Sequence, residues 1–125
     1  MNMRYMLFSF AILITIFAPL DSVQATEHFG VQVYGGARLD TEETNFLKNV
    51  GANSYCYRTG DSAKKVAAFY QNHRGVTSLG GVNETGGMFV KEAKGHTVYI
   101  KVESPWQPSK GGEQKKDTII VITKE

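Results

Sequence analysis

One cysteine, one tryptophan and three prolines are all that these 125 residues contain of those types. Cys56 has no second cysteine with which to close an intramolecular disulfide, and the Cys-x-x-Cys-His attachment of a c-type haem is excluded. A marked excess of either charge is missing too. Fourteen Lys and Arg stand against twelve Asp and Glu, a formal net charge of +2, and the two signs are interspersed. That balance argues against nucleic acid and against an anionic membrane surface as partners. No Gly-x-Ser-x-Gly elbow occurs, and the glycine pairs at 35–36, 80–81, 86–87 and 111–112 lack the Lys-Ser/Thr ending of a phosphate loop. His28, His73 and His96 have no short spacing of the kind that puts two metal ligands on one helix face or hairpin. Folding could bring His73, Cys56 and His96 together, but surface histidines and a buried structural thiol are the expectation. The carboxylates are scattered along loops and strand ends, with no pair set across a cleft. The expectation is therefore no catalytic set, no metal and no cofactor.

What the chain does carry begins at its first residues. Arg4 supplies a positive start, and Tyr5 to Pro19 is apolar except for Ser9 and Thr15. Val23-Gln24-Ala25 has the small-x-small form of a cleavage site, followed by polar Thr26-Glu27-His28. This is the layout of a cleaved secretory signal peptide. The apolar run of about 15 residues is short of the roughly 20 that span a bilayer. Residue 26 is threonine and not cysteine, so a lipoprotein anchor is not expected. The expected organisation is a signal peptide at 1–25 and one small domain at 26–125, which loses Arg4 and Asp21 together and so keeps its charge of +2. A bacterial periplasm or the external medium is the expected location, with no stable membrane anchor. In a bacterium Asn83-Glu84-Thr85 is a turn, not a glycosylation site.

Periodicity then gives the elements. Val31 to Tyr34 alternates as a short strand. Thr41 to Val50 has the makings of a short helix, with Thr41 as cap, Glu42 and Glu43 at the positive end, and Gly51 as the stop. Asn53 to Thr59 is a strand with Tyr55 and Tyr57 on one face and Cys56 and Arg58 on the other. Asp61 or Ser62 caps a helix reaching about His73, and its Ala63, Val66, Ala67 and Tyr70 form an apolar face. Val76 to Gly87 is glycine-rich and irregular, with a short strand at Val76 to Leu79. Met88 to Ala93 and His96 to Glu103 form a hairpin about Lys94-Gly95. Thr118 to Thr123 is the last strand; its Ile119 to Ile122 are apolar on both faces, so it is expected at the centre of the sheet. The predicted fold is α+β: a mostly antiparallel sheet of four to five strands, with one main amphipathic helix (about 61–73) packed on one face.

The segment Tyr34-Gly35-Gly36-Ala37, with Tyr57-Arg58-Thr59-Gly60-Asp61-Ser62 and Lys65-Val66-Ala67-Ala68-Phe69-Tyr70, resembles a group of small exported bacterial proteins of uncharacterised function. Those proteins carry a Tyr-Pro-Gly-Ala-like segment, so Gly35 stands where they have proline. Their Thr-x-Asp-Ser and Lys-Val-x-x-Phe-Tyr motifs match here, and the Thr118 to Ile122 strand is similar too. The resemblance implies a fold and an export route, and no activity.

Two features are candidates for binding. Ser104-Pro105-Trp106-Gln107-Pro108 restricts the backbone on either side of the tryptophan, and Lys110 follows; a rigidly displayed aromatic beside a cation suits a sugar, an anion or a protein. The alternative is that Trp106 folds back over an open end of the core. Tyr55 and Tyr57, with Tyr99 as a neighbour on the sheet, would form an aromatic binding surface if they face away from the main helix, and core if they face it. The function these features point to is an exported non-enzymatic module that binds a protein partner or small ligand. One rival is a small periplasmic enzyme with a cleft beside the main helix, drawing on Tyr57, Arg58, Asp61 and His73. The other is a subunit of an envelope assembly, with a strand edge or sheet face covered by other chains. Oligomeric state is not encoded in any of these patterns.

Overall fold

Alternating side chains and well-placed caps build ten elements in the computed structural model, which describes residues 26–125; the expected signal segment at 1–25 lies outside the described residues. In chain order they are β1 (Glu27–His28), β2 (Val31–Gln32), β3 (Arg38–Leu39), α1 (Thr41–Asn49), β4 (Asn53–Thr59), α2 (Ala63–Gln71), β5 (Val76–Ser78), β6 (Gly86–Ala93), β7 (His96–Glu103) and β8 (Thr118–Lys124). The protein is α+β. Six strands form one sheet in the order β3-β4-β8-β7-β6-β5, and every neighbouring pair is antiparallel. The strand beyond the expected four to five is β3, whose two residues are too few to show a period. β8 lies between β4 and β7, at the centre as expected.

Both helices start at a side-chain cap. The carboxylate of Asp40, not the hydroxyl of Thr41, accepts from the Glu43 N–H at 2.9 Å. Of the two candidates before α2, Ser62 is the cap, accepting from the Lys65 N–H at 3.1 Å. Such caps satisfy amide donors that have no partner inside the helix.

The two helices lie on opposite faces of the sheet. α2 presses Ala63, Val66, Ala67 and Tyr70 onto a first face made by Tyr57, Phe89, Val98, Ile100, Val102, Ile120 and Ile122, all buried. Complete burial of each such Val or Ile contributes about 1.5–3 kcal/mol, so this layer dominates the stability. The Tyr70 hydroxyl sits in it fully paired, donating to the Gln32 carbonyl at 2.9 Å and accepting from the Tyr34 N–H at 3.0 Å. On the second face, Cys56, Ile119 and Trp106 form a smaller buried cluster with Leu47 of α1 and Val121.

α1 also closes the edge of β4 beyond the short β3. The Cys56 N–H donates to the Thr44 hydroxyl at 2.9 Å, and the Cys56 carbonyl accepts from the Asp40 N–H at 2.8 Å. Both backbone groups of Cys56 are thereby taken and are not open to a foreign strand.

Two details differ from the sequence-based expectation. A hairpin of β1 and β2 precedes the sheet, turning at Phe29-Gly30, both with positive φ (57° and 85°); the alternation of Val31 to Tyr34 marks only its second half. Gly86 and Gly87 belong to β6 and not to an irregular segment. At Gly86 φ is +124°, and a Cβ would lie 2.0 Å from the Val102 carbonyl oxygen. Glycine is therefore what lets β6 run this close to β7.

Candidate functional site

The antiparallel register decides where each candidate side chain goes. Tyr99 is opposite Thr123, and Thr123 is opposite Ser54, so Tyr99 shares a face with Ser54 and lies across the sheet from Tyr55 and Tyr57. The three tyrosines do not make one surface. Tyr55 and Tyr57 are on the α2 face, where the β1–β2 hairpin covers them. The His28 ring stacks on Tyr55 with centroids 3.7 Å apart, and its Nε2 is 2.8 Å from the Tyr57 hydroxyl. Lys48 Nζ lies 3.9 Å from the Tyr55 ring centre. Burial first, then the Lys48 charge, holds His28 below the ordinary imidazole value, and burial pushes the Tyr57 hydroxyl up.

Trp106 turns inward. It is 3% exposed, and its indole N–H donates to Asp117 Oδ1 at 2.9 Å. The Arg58 guanidinium lies 5.2 Å from its ring centre and donates to Asp117 Oδ2 at 2.8 Å. The ring is thus turned toward Cys56 and Ile119, not toward solvent. Lys110 remains at the surface, paired with Glu42. The next glutamate, Glu43, accepts from the Ser109 N–H and hydroxyl. The first turn of α1 therefore pins the Trp106 loop, a long-range role added to its favourable place at a helix start.

Arg58, Asp40 and Asp117 line a polar cleft of about 400 Å³ with Arg38, Thr41 and Glu42. Its carboxylates are already engaged. Asp40 takes the Glu43 N–H and lies 3.5 Å from Arg58. Burial acts to raise Asp117, but hydrogen bonds from Arg58 and Trp106 hold it below the ordinary carboxylate value. Chemically this is a structural ion-pair network that locks the loop to β4.

Tyr57, Arg58, Asp61 and His73 do not converge. Tyr57 and Arg58 point to opposite faces. Asp61 accepts from Tyr34 at 2.5 Å just before α2, while His73 packs on Phe69 beyond its other end, about 14 Å away for nine helical residues. Among the described residues no three His, Cys, Asp or Glu side chains are grouped so as to hold a metal ion. Cys56 is fully buried, and burial pushes its thiol up to about 12, which leaves it protonated at neutral pH.

Among the described residues, what stands open is the other half of the second face. α1 and the Trp106 loop cover β4 and part of β8, and stop there. Beyond them Met88 is 43% exposed and Leu79 is 48% exposed. A trough of about 270 Å³ is lined by Leu47, Met88, Tyr99, Lys101 and Val121, with Ser54 and Thr123 at its side. A second, of about 320 Å³, continues from Met88 and Lys101 past Leu79, Gly87 and Glu103. Of the predicted binding residues only Tyr99 lies here. Sequence reasoning misses Met88, Lys101, Leu47 and Val121. The available signal is the alternation of Met88 and Val90 in β6 with Tyr99 and Lys101 in β7, which marks one face but does not say that it is uncovered.

The described residues thus form an α+β protein with helices on both faces of an antiparallel sheet and one half-face left bare. Compared with known proteins, the chain matches no family model, no curated sequence and no solved structure.

Proposed function

We propose that the chain is an exported, non-enzymatic binding module, acting in a bacterial periplasm or outside the cell, that holds a protein partner on the bare half of its second sheet face. The observation that carries this is Met88, 43% exposed in the middle of a sheet, in a trough with Tyr99, Leu47 and Val121. A contiguous apolar patch on a folded surface is an interaction site or a liability. The shape favours a protein over a small ligand. Small-molecule sites enclose most of their ligand, whereas these troughs are shallow and continuous, as a protein–protein contact needs.

Export is supported by the 1–25 segment, and the expected cleavage is compatible with the described fold. Thr26, the first residue after the expected cleavage point, already accepts the Val33 N–H at 2.8 Å, so cleavage after Ala25 would spare the hairpin. The resemblance to small exported bacterial proteins points the same way.

The test is native mass spectrometry of the protein purified from its own host after expression of the full precursor. The expected result is a chain of residues 26–125 with a stoichiometric protein partner, lost from Met88→Glu and kept by Lys64→Glu on the exposed side of α2. A partner that survives Met88→Glu, or a bare chain in every preparation, refutes the site.

A further inference from the structure

Oxidants that reach a folded chain attack its accessible sulfur, the thiolate of cysteine and the thioether of methionine. Of the four methionines, Met1, Met3 and Met6 fall in the segment expected to be removed, which leaves Met88 as the methionine of residues 26–125. Cys56 is fully buried and its thiol stays protonated, so it offers an oxidant neither access nor a thiolate. Trp106 is shut in as well. Met88, by contrast, is 43% exposed on the bare half-face. The fold therefore gathers its oxidant chemistry onto one sulfur, and that sulfur stands with Tyr99, Leu47 and Val121 in the first trough.

We propose that Met88 is an oxidative modification site, and that its conversion to the sulfoxide switches the bare face off as a docking surface. The switch rests on the binding role proposed for this face; the modification site does not. The step balances with hydrogen peroxide as oxidant. The sulfur lone pair attacks one peroxide oxygen, the S–O bond forms and the O–O bond breaks. The proton on the attacked oxygen passes to the departing hydroxide, which leaves as water, so the sulfur is oxidised and the peroxide reduced. A flexible apolar side chain thereby becomes a polar, chiral one.

Register sets Met88 directly opposite Lys101, and both residues line each of the two troughs. Such cross-strand neighbours have Cβ atoms about 5 Å apart, so the new oxygen has an ammonium donor within reach. Lys101 is able to turn to it. Its pair with Glu103, at 3.4 Å, joins side chains 47% and 45% exposed, and a pair this open to water is weakly held. A surface laid over Met88 then has to strip water from a sulfoxide instead of a thioether, and burying a polar group in an apolar contact is unfavourable. The core under α2 lies on the other side of the sheet, so the change leaves the fold intact.

The experiment treats the protein purified from its host with hydrogen peroxide and maps the product by mass spectrometry. One oxygen is expected at Met88, added at a rate comparable with that of the urea-unfolded chain, with Cys56 unmodified and the circular dichroism unchanged. Strong protection of Met88 in the folded free chain overturns the site. For the switch, the peroxide is removed, and the partner released from the unoxidised complex is offered to the oxidised chain. Binding should weaken at least about tenfold and return after treatment with the two methionine sulfoxide reductases, one for each epimer. Met88→Leu should hold the partner and be indifferent to peroxide. If Met88→Leu loses the partner on oxidation as wild type does, or oxidised wild type binds undiminished, the switch is wrong while the binding role stands. If the partner survives Met88→Glu, or none is recovered, the binding role fails and the switch with it, and the rate at Met88 alone decides the modification site.

Discussion

Replacing Trp106 separates a tryptophan that serves the core from one that serves as bait. The ring is 3% exposed and packs with Cys56 and Ile119, so truncation to alanine removes a buried aromatic and opens a cavity. Such changes cost about 3–5 kcal/mol. Trp106→Phe keeps most of the ring but loses the N–H bond to Asp117. Asp117 retains Arg58, so the lost hydrogen bond to a charged group, about 1.5–3 kcal/mol at most, sets the upper part of the range, and about 1–3 kcal/mol is expected. A domain of this size has a total stability of about 5–15 kcal/mol. Trp106→Ala should therefore sit near the edge of folding, with Trp106→Phe between it and wild type. Urea unfolding followed by far-ultraviolet circular dichroism reads both variants, and in the wild type the fluorescence of this single tryptophan should shift to the red on unfolding. A loss below about 1 kcal/mol for Trp106→Ala would show that the ring is displayed and not packed, and the second-face core would lose its anchor.

Cys56, fully buried with its thiol pushed up to about 12, should resist iodoacetamide in the native state and react once urea unfolds the chain; native labelling at the rate of a free thiol would contradict its burial. His28 gives a pH dependence whose sign follows from its lowered value: the unfolded chain takes up the proton near 6.5 while the folded hairpin resists it. Its contribution is complete above about pH 6.5 and declines as pH falls through that range toward the folded value. Urea midpoints measured at about pH 7.5 and about pH 5 should differ more for wild type than for His28→Gln; equal differences would remove His28 as the cause.

The bare half-face also shows where sequence patterning stops being informative. Tyr55 and Tyr57 are legible as a pair because β4 alternates with period two, and Val98, Ile100 and Val102 mark the face of β7 that meets α2. Whether Tyr99 joins the other tyrosines depends on register across β8, which pairs residues dozens of positions apart and leaves no local trace. Trp106 is ambiguous in sequence for a related reason. Its prolines restrict the backbone but do not say toward which side, and the partners that decide this are Asp117, Arg58 and Cys56. The Phe29-Gly30 turn escapes sequence reasoning because phenylalanine rarely takes a positive φ, and what holds it there is the contact of His28 and Phe29 with Tyr55.

The letters of the chain alone specify the elements that rest on neighbours within a few residues: an amphipathic helix at about 61–73, the β6–β7 hairpin, a central strand apolar on both faces over Ile119 to Ile122, and hence an α+β fold. Local caps and hydrophobic period are short-range effects, so they are written in adjacent letters. Packing between distant segments is what sets α1 on the second face, gives Glu43 its hold on Ser109 and closes the Trp106 loop over Cys56. It alone left Met88, Tyr99 and Lys101 uncovered. Those outcomes depend on which surfaces meet when distant segments pack, and burial is a property of that meeting and not of any one strand.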